Sequence, residues 1–581
     1  MHAGLRSLAP YLRRYRRDLA VGGTALLVKD LLTAALPIFV GRGVDSMRAG
    51  SFNLEAVYWY SAAIVGFAAV KGIFQYWMRV ILIGVSRDIE YDLRNDFYRK
   101  LTELSADFYA RTRTGDIMAR ATNDLNAVRM MLGPGLMYSF ETGFTLLFAV
   151  AVMLAVDWKL TLVALLPAPL VSLTVIYFGG LIHRRFERIQ KMFADISSRV
   201  QESLVGIRII RAYVQEEADQ RKFAELNREY VAENIRLARL SGAFMPLLQT
   251  LAGMTLLIVL WVGGGRLLAG RITLGEFVMF NTYLVMLIWP MIAFGWVVNL
   301  AQRGLASLER INAVLRERPS ITEPEEPVPI QGRLRGEIEF RNVTLDYGAM
   351  RVLEYVSLRI PAGATVAIVG HTGSGKTSLV QLIPRIMDPS QGAVLIDGRD
   401  VRSYSPSELR RQIGFVPQET ILFSATLAEN IAFGKDDTVR EEILQAALMA
   451  GLGPDLESFP NGLDTVIGER GITLSGGQKQ RAAIARALLR DPAILVLDDA
   501  LASVDTLTED RILNQLASFR KGRTTVLISH RVSTVRNADR IYVIERGRIA
   551  EQGTHEELLA AGGYYADLYA KQLLEEELEG V

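Results

Sequence analysis

"VAIVGHTGSGKTSLV" (366–380) is the stretch whose reading decides the fold. Val366, Ala367, Ile368 and Val369 form a short apolar run of the kind that makes a buried strand. Gly370, Gly373 and Gly375 follow closely, and a chain without Cβ atoms at those points can wrap tightly with its N–H groups turned inward. Lys376 then brings a charge, Thr377 a hydroxyl, and Ser378 lies in the first turn of a helix whose N-terminus favours anions. The pattern G-x-x-x-x-G-K-[ST], here Gly370, His371, Thr372, Gly373, Ser374, Gly375, Lys376 and Thr377, is rarely accidental between a strand and a helix. It predicts a loop that cradles nucleotide phosphates, with Lys376 on the terminal ones and Thr377 on Mg²⁺. The surrounding chain should therefore be an ordinary α/β domain.

Towards the C-terminus, further landmarks fall in a fixed order. "FVPQE" supplies Gln418, and "GERGITLSGGQKQRAAIARALL" carries Leu474, Ser475, Gly476, Gly477 and Gln478 at a helix start. "ILVLDD" is a run of strand formers ending in Asp498 and Asp499; "SVD" with Asp505 and "LISHR" with His530 follow. This succession resembles the nucleotide-binding domain of an ABC transporter, and the resemblance covers residues 336–570. "TVIGERG" (465–471) is similar to a segment found ahead of the signature in the exporter branch.

Towards the N-terminus the character changes. Half of the 581 residues are hydrophobic, and the long apolar stretches fill residues 19–300. A net charge of +2 gives no bulk field for nucleic acid, and the absence of cysteine excludes disulfides, thiolate metal sites and cysteine nucleophiles. Six stretches, near 19–43, 56–85, 132–156, 158–181, 241–268 and 275–300, are long enough to cross a bilayer, which needs roughly 20 mostly apolar residues. "LRRYRRDLAVGGTALLV" is similar to the charged and apolar regions of a signal peptide, but five further spans favour an uncleaved first helix. Lys29, Asp30, Lys71 and Arg79 interrupt the first two spans. Charges at that depth line a bundle interior or wet cavity, pair between neighbouring helices, or snorkel. Glu141, alone in the third span, reads as a cargo contact, a proton carrier or an interhelical hydrogen-bonding group. The Met- and aromatic-rich sixth span suits adaptable apolar binding or plain helix packing.

Residues 1–18 carry five Lys/Arg, 86–131 eight and 182–240 twelve, so these segments and the C-terminal half are expected on the cytoplasmic side. Helical spacing in the two long connections extends the spans into the cytoplasm, with turns near 110–116 and 212–219. Four prolines in 316–336 mark a linker. The expected organisation is a transmembrane domain over 1–315, a linker over 316–335 and a nucleotide-binding domain over 336–581. The fold class is an all-α six-helix transmembrane domain of the ABC exporter type joined to an α/β P-loop ATPase.

The resemblance implies a role for each matched position. In the family two nucleotide domains dock head to tail, and each ATP lies between one chain's phosphate loop and the other's LSGGQ. Tyr347 is then expected to stack on adenine, although a strand aromatic also reads as core. Thr377, Gln418 and Asp498 would serve Mg²⁺, and His530 would contact the γ-phosphate. Ser475, Gly476, Gly477 and Gln478 would meet the partner's ATP, and Asp505 would bridge the two sites. The family usually has Glu after the Mg²⁺ aspartate, to handle the attacking water. Asp499 is shorter by one methylene, roughly 1–1.5 Å. A misplacement of about 1 Å costs on the order of a hundredfold in rate. The implied chain binds ATP well, hydrolyses it poorly, and completes the active site of a second half-transporter that carries the Glu. Amphipathic drugs, lipids or peptides are the implied cargo. A homodimeric flippase and an ATP-gated, channel-like protein are the alternatives, and six spans exclude a soluble ATPase acting on nucleic acid.

Overall fold

The computed structural model describes residues 5–48, 54–348, 350–435, 437–468, 474–504 and 506–579. Asp505 and residues 469–473 of the segment leading into the signature lie outside the described residues. The chain divides into two compact units, Met1–Thr102 with Arg113–Glu317 and Glu103–Thr112 with Arg318–Val581.

The first unit is helical. Its long elements are α1 (Arg16–Arg48) and α2 (Leu54–Glu103); the short α3 (Ala106–Arg111) that comes next clusters with the second unit. Then follow α4 (Leu136–Ala164), α5 (Ala168–Val205), α6 (Glu216–Ile258) and α7 (Leu274–Leu315). Among the described residues five helical runs are long and apolar enough to cross a membrane: Arg16–Met47, Val57–Glu103, Thr114–Ala164, Glu216–Leu268 and Leu274–Leu315. The expected span at 158–181 does not stand as one of them. A turn at 165–167 divides it, and its apolar residues fall partly on α4 and partly on α5. Pro167 and Pro169 fall at the break, since neither has an N–H to continue the preceding helix; Pro167 is the N-cap of α5 and Pro169 lies in its first turn, where no donor is needed. Between the expected third and fourth spans the chain bends at Asp157, whose backbone is extended (φ −153°, ψ 106°). Its Oδ1 accepts from the N–H groups of Lys159 (2.9 Å) and Leu160 (3.0 Å), which caps the helix that follows. Near 110–116 the backbone is extended at Thr112 and Arg113, and a further break precedes it at the extended Ser105.

Helices of this unit meet through small residues and a few polar ties, the pattern of helices packed without a hydrophobic drive. A Cβ on Gly275 at the start of α7 would lie 1.9 Å from the carbonyl oxygen of Gly41 on α1. Asp45 closes that contact by accepting from Thr273 Oγ1 (2.6 Å) and Gly275 N (2.7 Å). Tyr283 donates to the Ala34 carbonyl at 2.6 Å. Of the charges inside the spans, buried Lys29 on α1 reaches Glu141 on α4 at 2.6 Å and lies 2.6 Å from Asp30 on its own helix.

The second unit contains two sheets. One is antiparallel, ordered β2 (Met350–Ile360), β1 (Ile338–Tyr347), β4 (Gln391–Ile396) and β5 (Arg399–Asp400). The other runs β10 (Arg548–Gly553), β9 (Arg540–Glu545), β3 (Thr365–Val369), β8 (Thr524–Ile528), β7 (Ile494–Asp498) and β6 (Ile413–Val416), parallel except at β10. β3, β7 and β8 are buried almost throughout, as expected of strands covered on both faces. Such a sheet presents its ligand crevice at the carboxyl ends of the parallel strands.

Candidate functional site

The carboxyl ends of β3, β6, β7 and β8 bring the separated motifs together. The loop after β3 wraps into α8 (Lys376–Gln381). Gly375 sits at φ 101°, and a Cβ there would lie 2.8 Å from Leu353 Cδ2, so both backbone and space demand glycine. Lys376 is buried, and its Nζ is held by the carbonyls of Gly370 (2.9 Å) and His371 (2.8 Å), which centre the charge in the loop.

A cavity of about 280 Å³ opens here. Eleven of the residues singled out from the sequence line it: Tyr347, Thr372, Gly373, Gly375, Lys376, Thr377, Ser378, Gln418, Asp498, Asp499 and His530. Gly370, His371 and Ser374 belong to the same loop without lining the cavity. Met350, Val352 and Ile528 line it as well; they are ordinary strand residues whose sequence carries no signal of that placement. Tyr347 is 45 % exposed, so it is not a core aromatic; its hydroxyl donates to Ser378 Oγ at 3.1 Å and holds the ring at the cavity's edge.

Asp498 ends β7 and is buried. Its Oδ1 accepts from Thr377 Oγ1 at 3.1 Å, while Oδ2 has no hydrogen-bond partner among the described residues. Burial, with the neighbouring Asp499 charge adding to it, pushes its pKa up to about 6 against the opposing pull of Thr377 and Lys376. A buried carboxylate with an unpaired oxygen beside a threonine hydroxyl is a hard-oxygen donor pair suited to Mg²⁺ shared with nucleotide phosphates. Burial and the Lys376 charge hold His530 below its usual value, so its imidazole is neutral at pH 7. Asp499 adopts a left-handed backbone (φ 50°), and its N–H donates to the Ile528 carbonyl at 3.0 Å. Aspartate tolerates that conformation better than most residues.

The signature opens α9 (Gly476–Leu489). Ser475 is the N-cap and forms a reciprocal pair with Gln478: Ser475 N donates to Gln478 Oε1 (2.9 Å), and Gln478 N donates to Ser475 Oγ (3.3 Å). Gln478 also donates to Asp455 at 2.9 Å, so both ends of its carboxamide are engaged within this chain. A Cβ on Gly477 would lie 3.0 Å from the Ser503 carbonyl, so this glycine serves close approach rather than an unusual φ. Sequence reasoning overlooked Gln480, which ties α9 to the turn that follows β7 by accepting from Ser503 N at 2.9 Å. The signature residues do not line the nucleotide cavity of their own chain.

Two family models match the sequence, "ABC transporter transmembrane region" over residues 19–291 and "ABC transporter" over residues 353–502. The sequence is 38% identical over its full length, and 99% of the relative's, to the probable multidrug resistance ABC transporter ATP-binding/permease protein YheI of Bacillus subtilis (strain 168). It is 37% identical to the multidrug resistance-like ATP-binding protein MdlA of Escherichia coli (strain K12), over 98% of this chain and 97% of that one. With the ATP-dependent lipid A-core flippase of Syntrophus aciditrophicus (strain SB) it shares 36% identity over 96% and 93%. The fold is similar to that of a bacterial Atm1-family ABC exporter with ATP bound, at a TM-score of 0.78 and 28% identity, covering 96% of this chain and 98% of that one.

Proposed function

Because the chain belongs to the ABC transporter family, as an exporter-type half-transporter with fused membrane and nucleotide-binding domains, we propose that it is the slowly hydrolysing subunit of a heterodimeric exporter. The family assignment carries ATP-coupled translocation with it. The heterodimer rests on one observation: Asp499 stands where a longer carboxylate would handle water, while the signature at 474–478 is complete.

Phosphoryl transfer to water depends on positioning and charge neutralisation. The loop at 370–377 and Lys376 orient the terminal phosphates, and Tyr347 provides a face for adenine. Asp498 Oδ2 and Thr377 Oγ1 would hold Mg²⁺, which neutralises charge on the phosphate oxygens when bound; Gln418 lies across the same cavity. His530, neutral, donates a hydrogen bond to the γ-phosphate. Asp499 falls short of the attacking water, and its backbone cannot advance, because its N–H is committed to Ile528. The intact signature acts on the partner's ATP, where the partner supplies Glu. The spans set the chain in the cell membrane as a multi-pass protein, with the nucleotide domain cytoplasmic. Amphipathic drugs, lipids or peptides are the cargo; multidrug and lipid names among the relatives support that class.

Single-turnover hydrolysis by the full chain, compared with Asp499→Glu, tests the assignment. The wild type is expected to be on the order of a hundredfold slower; equally fast rates would sink it. The relative named as a lipid A-core flippase supports lipid as cargo; purification of the tagged chain separates a homodimeric flippase from the heterodimer, which brings a second half-transporter with it. ATP-dependent uptake into inverted vesicles distinguishes a pump from an ATP-gated channel.

A further inference from the structure

Beyond the cavity, the loop that carries His530 is held from behind by the C-terminal helix, α10 (Tyr564–Glu579). Gln572 Nε2 donates to the His530 carbonyl, and Gln572 Oε1 accepts from Val532 N at 2.7 Å. The other end of the His530–Arg531 peptide is fixed too, since Arg531 N donates to Ser529 Oγ at 3.0 Å. One peptide plane is therefore clamped at both its oxygen and its nitrogen, and the side chain it carries faces the nucleotide cavity.

The helix that supplies Gln572 is rigidly seated. Tyr565 is fully buried in a cluster with Ala367 and Val369 of β3 and Val532, and its hydroxyl lies 2.7 Å from His555 Nδ1. Glu551 caps the helix start by accepting from Tyr564 N (2.6 Å) and Tyr565 N (3.3 Å). Tyr564 meets His371 of the phosphate loop edge-on, with ring centroids 4.5 Å apart. One packed element thus touches the phosphate loop at one end and the His530 loop two turns later.

We infer that Gln572 is a positioning residue for the γ-phosphate contact of His530, and that α10 sets the spacing between that contact and the phosphate loop. The step rests on the reading of His530 given above. It does not depend on Asp499 or on a heterodimer, because it concerns binding. The bidentate carboxamide restrains the His530 peptide rotation at its oxygen; an alanine leaves that peptide held only at Arg531 N, so that the carbonyl can turn and the imidazole drift. The loss falls on ATP, which carries the γ-phosphate, and spares ADP.

Equilibrium binding of Mg²⁺ with the β,γ-imido analogue of ATP, and separately with ADP, to the full chain in detergent tests this. Gln572→Ala is expected to weaken the ATP analogue about fivefold and His530→Ala about tenfold, for a hydrogen bond to a charged group lost in part or in full. ADP binding should stay within about twofold in both, on the same reasoning. The double variant should lose no more than His530→Ala alone, since the two residues act as one unit. Gln572→Glu keeps the acceptor for Val532 N, loses the donor to His530, and should fall between. Equal weakening of both nucleotides, no change at all, or multiplicative losses in the double variant would overturn the inference. A normal His530→Ala would remove the His530 reading and Gln572's role together; a weakened His530→Ala beside a normal Gln572→Ala would remove only the role of Gln572.

Discussion

Asp498 combines two costs that a carboxylate rarely bears without a ligand: it is 1% exposed, and its Oδ2 has no hydrogen-bond partner among the described residues. Its pKa is raised from 3.8 to about 6, first by burial and then by Asp499. A group whose folded pKa lies above its unfolded value favours the folded state below the unfolded pKa, and that contribution is lost as pH rises through the folded pKa. Relative to acid conditions, Asp498 therefore costs the nucleotide-free chain about 3 kcal/mol at pH 7.5. Asp498→Asn should raise the melting temperature of the nucleotide-free chain at pH 7.5, and the gain should vanish near pH 4. Mg²⁺-dependent nucleotide binding should be lost in the same variant. Thermal unfolding at the two pH values measures the first effect; a variant no more stable than wild type at pH 7.5 would contradict it. Asp499 shows the opposite local logic. Its left-handed backbone suits aspartate, so Asp499→Glu should gain rate at a small expense in stability.

At the scale of elements, what was legible in the sequence is what local physics fixes. A strand, a glycine turn and a helix start lie within fifteen consecutive residues at 366–380, so their geometry follows from their own order. The apolar spans are legible because a bilayer imposes length and composition. The break at 165–167 was overlooked because hydropathy averages over Pro167 and Pro169, while the backbone responds to each. Gln572 and Gln480 were invisible for another reason: each is a polar residue on a helix, and only tertiary packing says which loop it clamps. Close helix approach is of the same kind. Gly275 looks like any glycine in an apolar run, yet its missing Cβ lets α1 and α7 touch. Gly275→Ala should force the pair apart and destabilise the membrane unit by about 2 kcal/mol. Its thermal unfolding in detergent, set beside Gly264→Ala, where a Cβ would meet nothing within 4 Å, separates lost contact from lost glycine. Equal stability of the two variants would exclude a role for the approach.

For the whole molecule, the proposed function assigns the two halves of the site's chemistry to different nucleotides. The phosphate loop, Asp498, Asp499 and His530 surround one cavity, and the signature residues do not line it. If the transporter pairs this chain with a different one, damage to each half has a different result. Gly477→Asp places a carboxylate at the N-terminus of α9, where the partner's γ-phosphate would be met, and it also crowds the Ser503 carbonyl. That substitution strikes the competent site and should lower ATPase turnover of the isolated transporter by on the order of a hundredfold, the usual scale for losing a preorganised electrostatic contact. Asp499→Asn strikes a site that contributes little turnover and should change the steady rate by less than about twofold. In a homodimer both substitutions would fall in every site and both would stop turnover. ATPase rates of the two variants, measured on transporter isolated with whatever subunit accompanies the tagged chain, therefore read the symmetry of the machine directly. A steep loss from Asp499→Asn would establish that this aspartate, short as it is, performs the water-handling step itself.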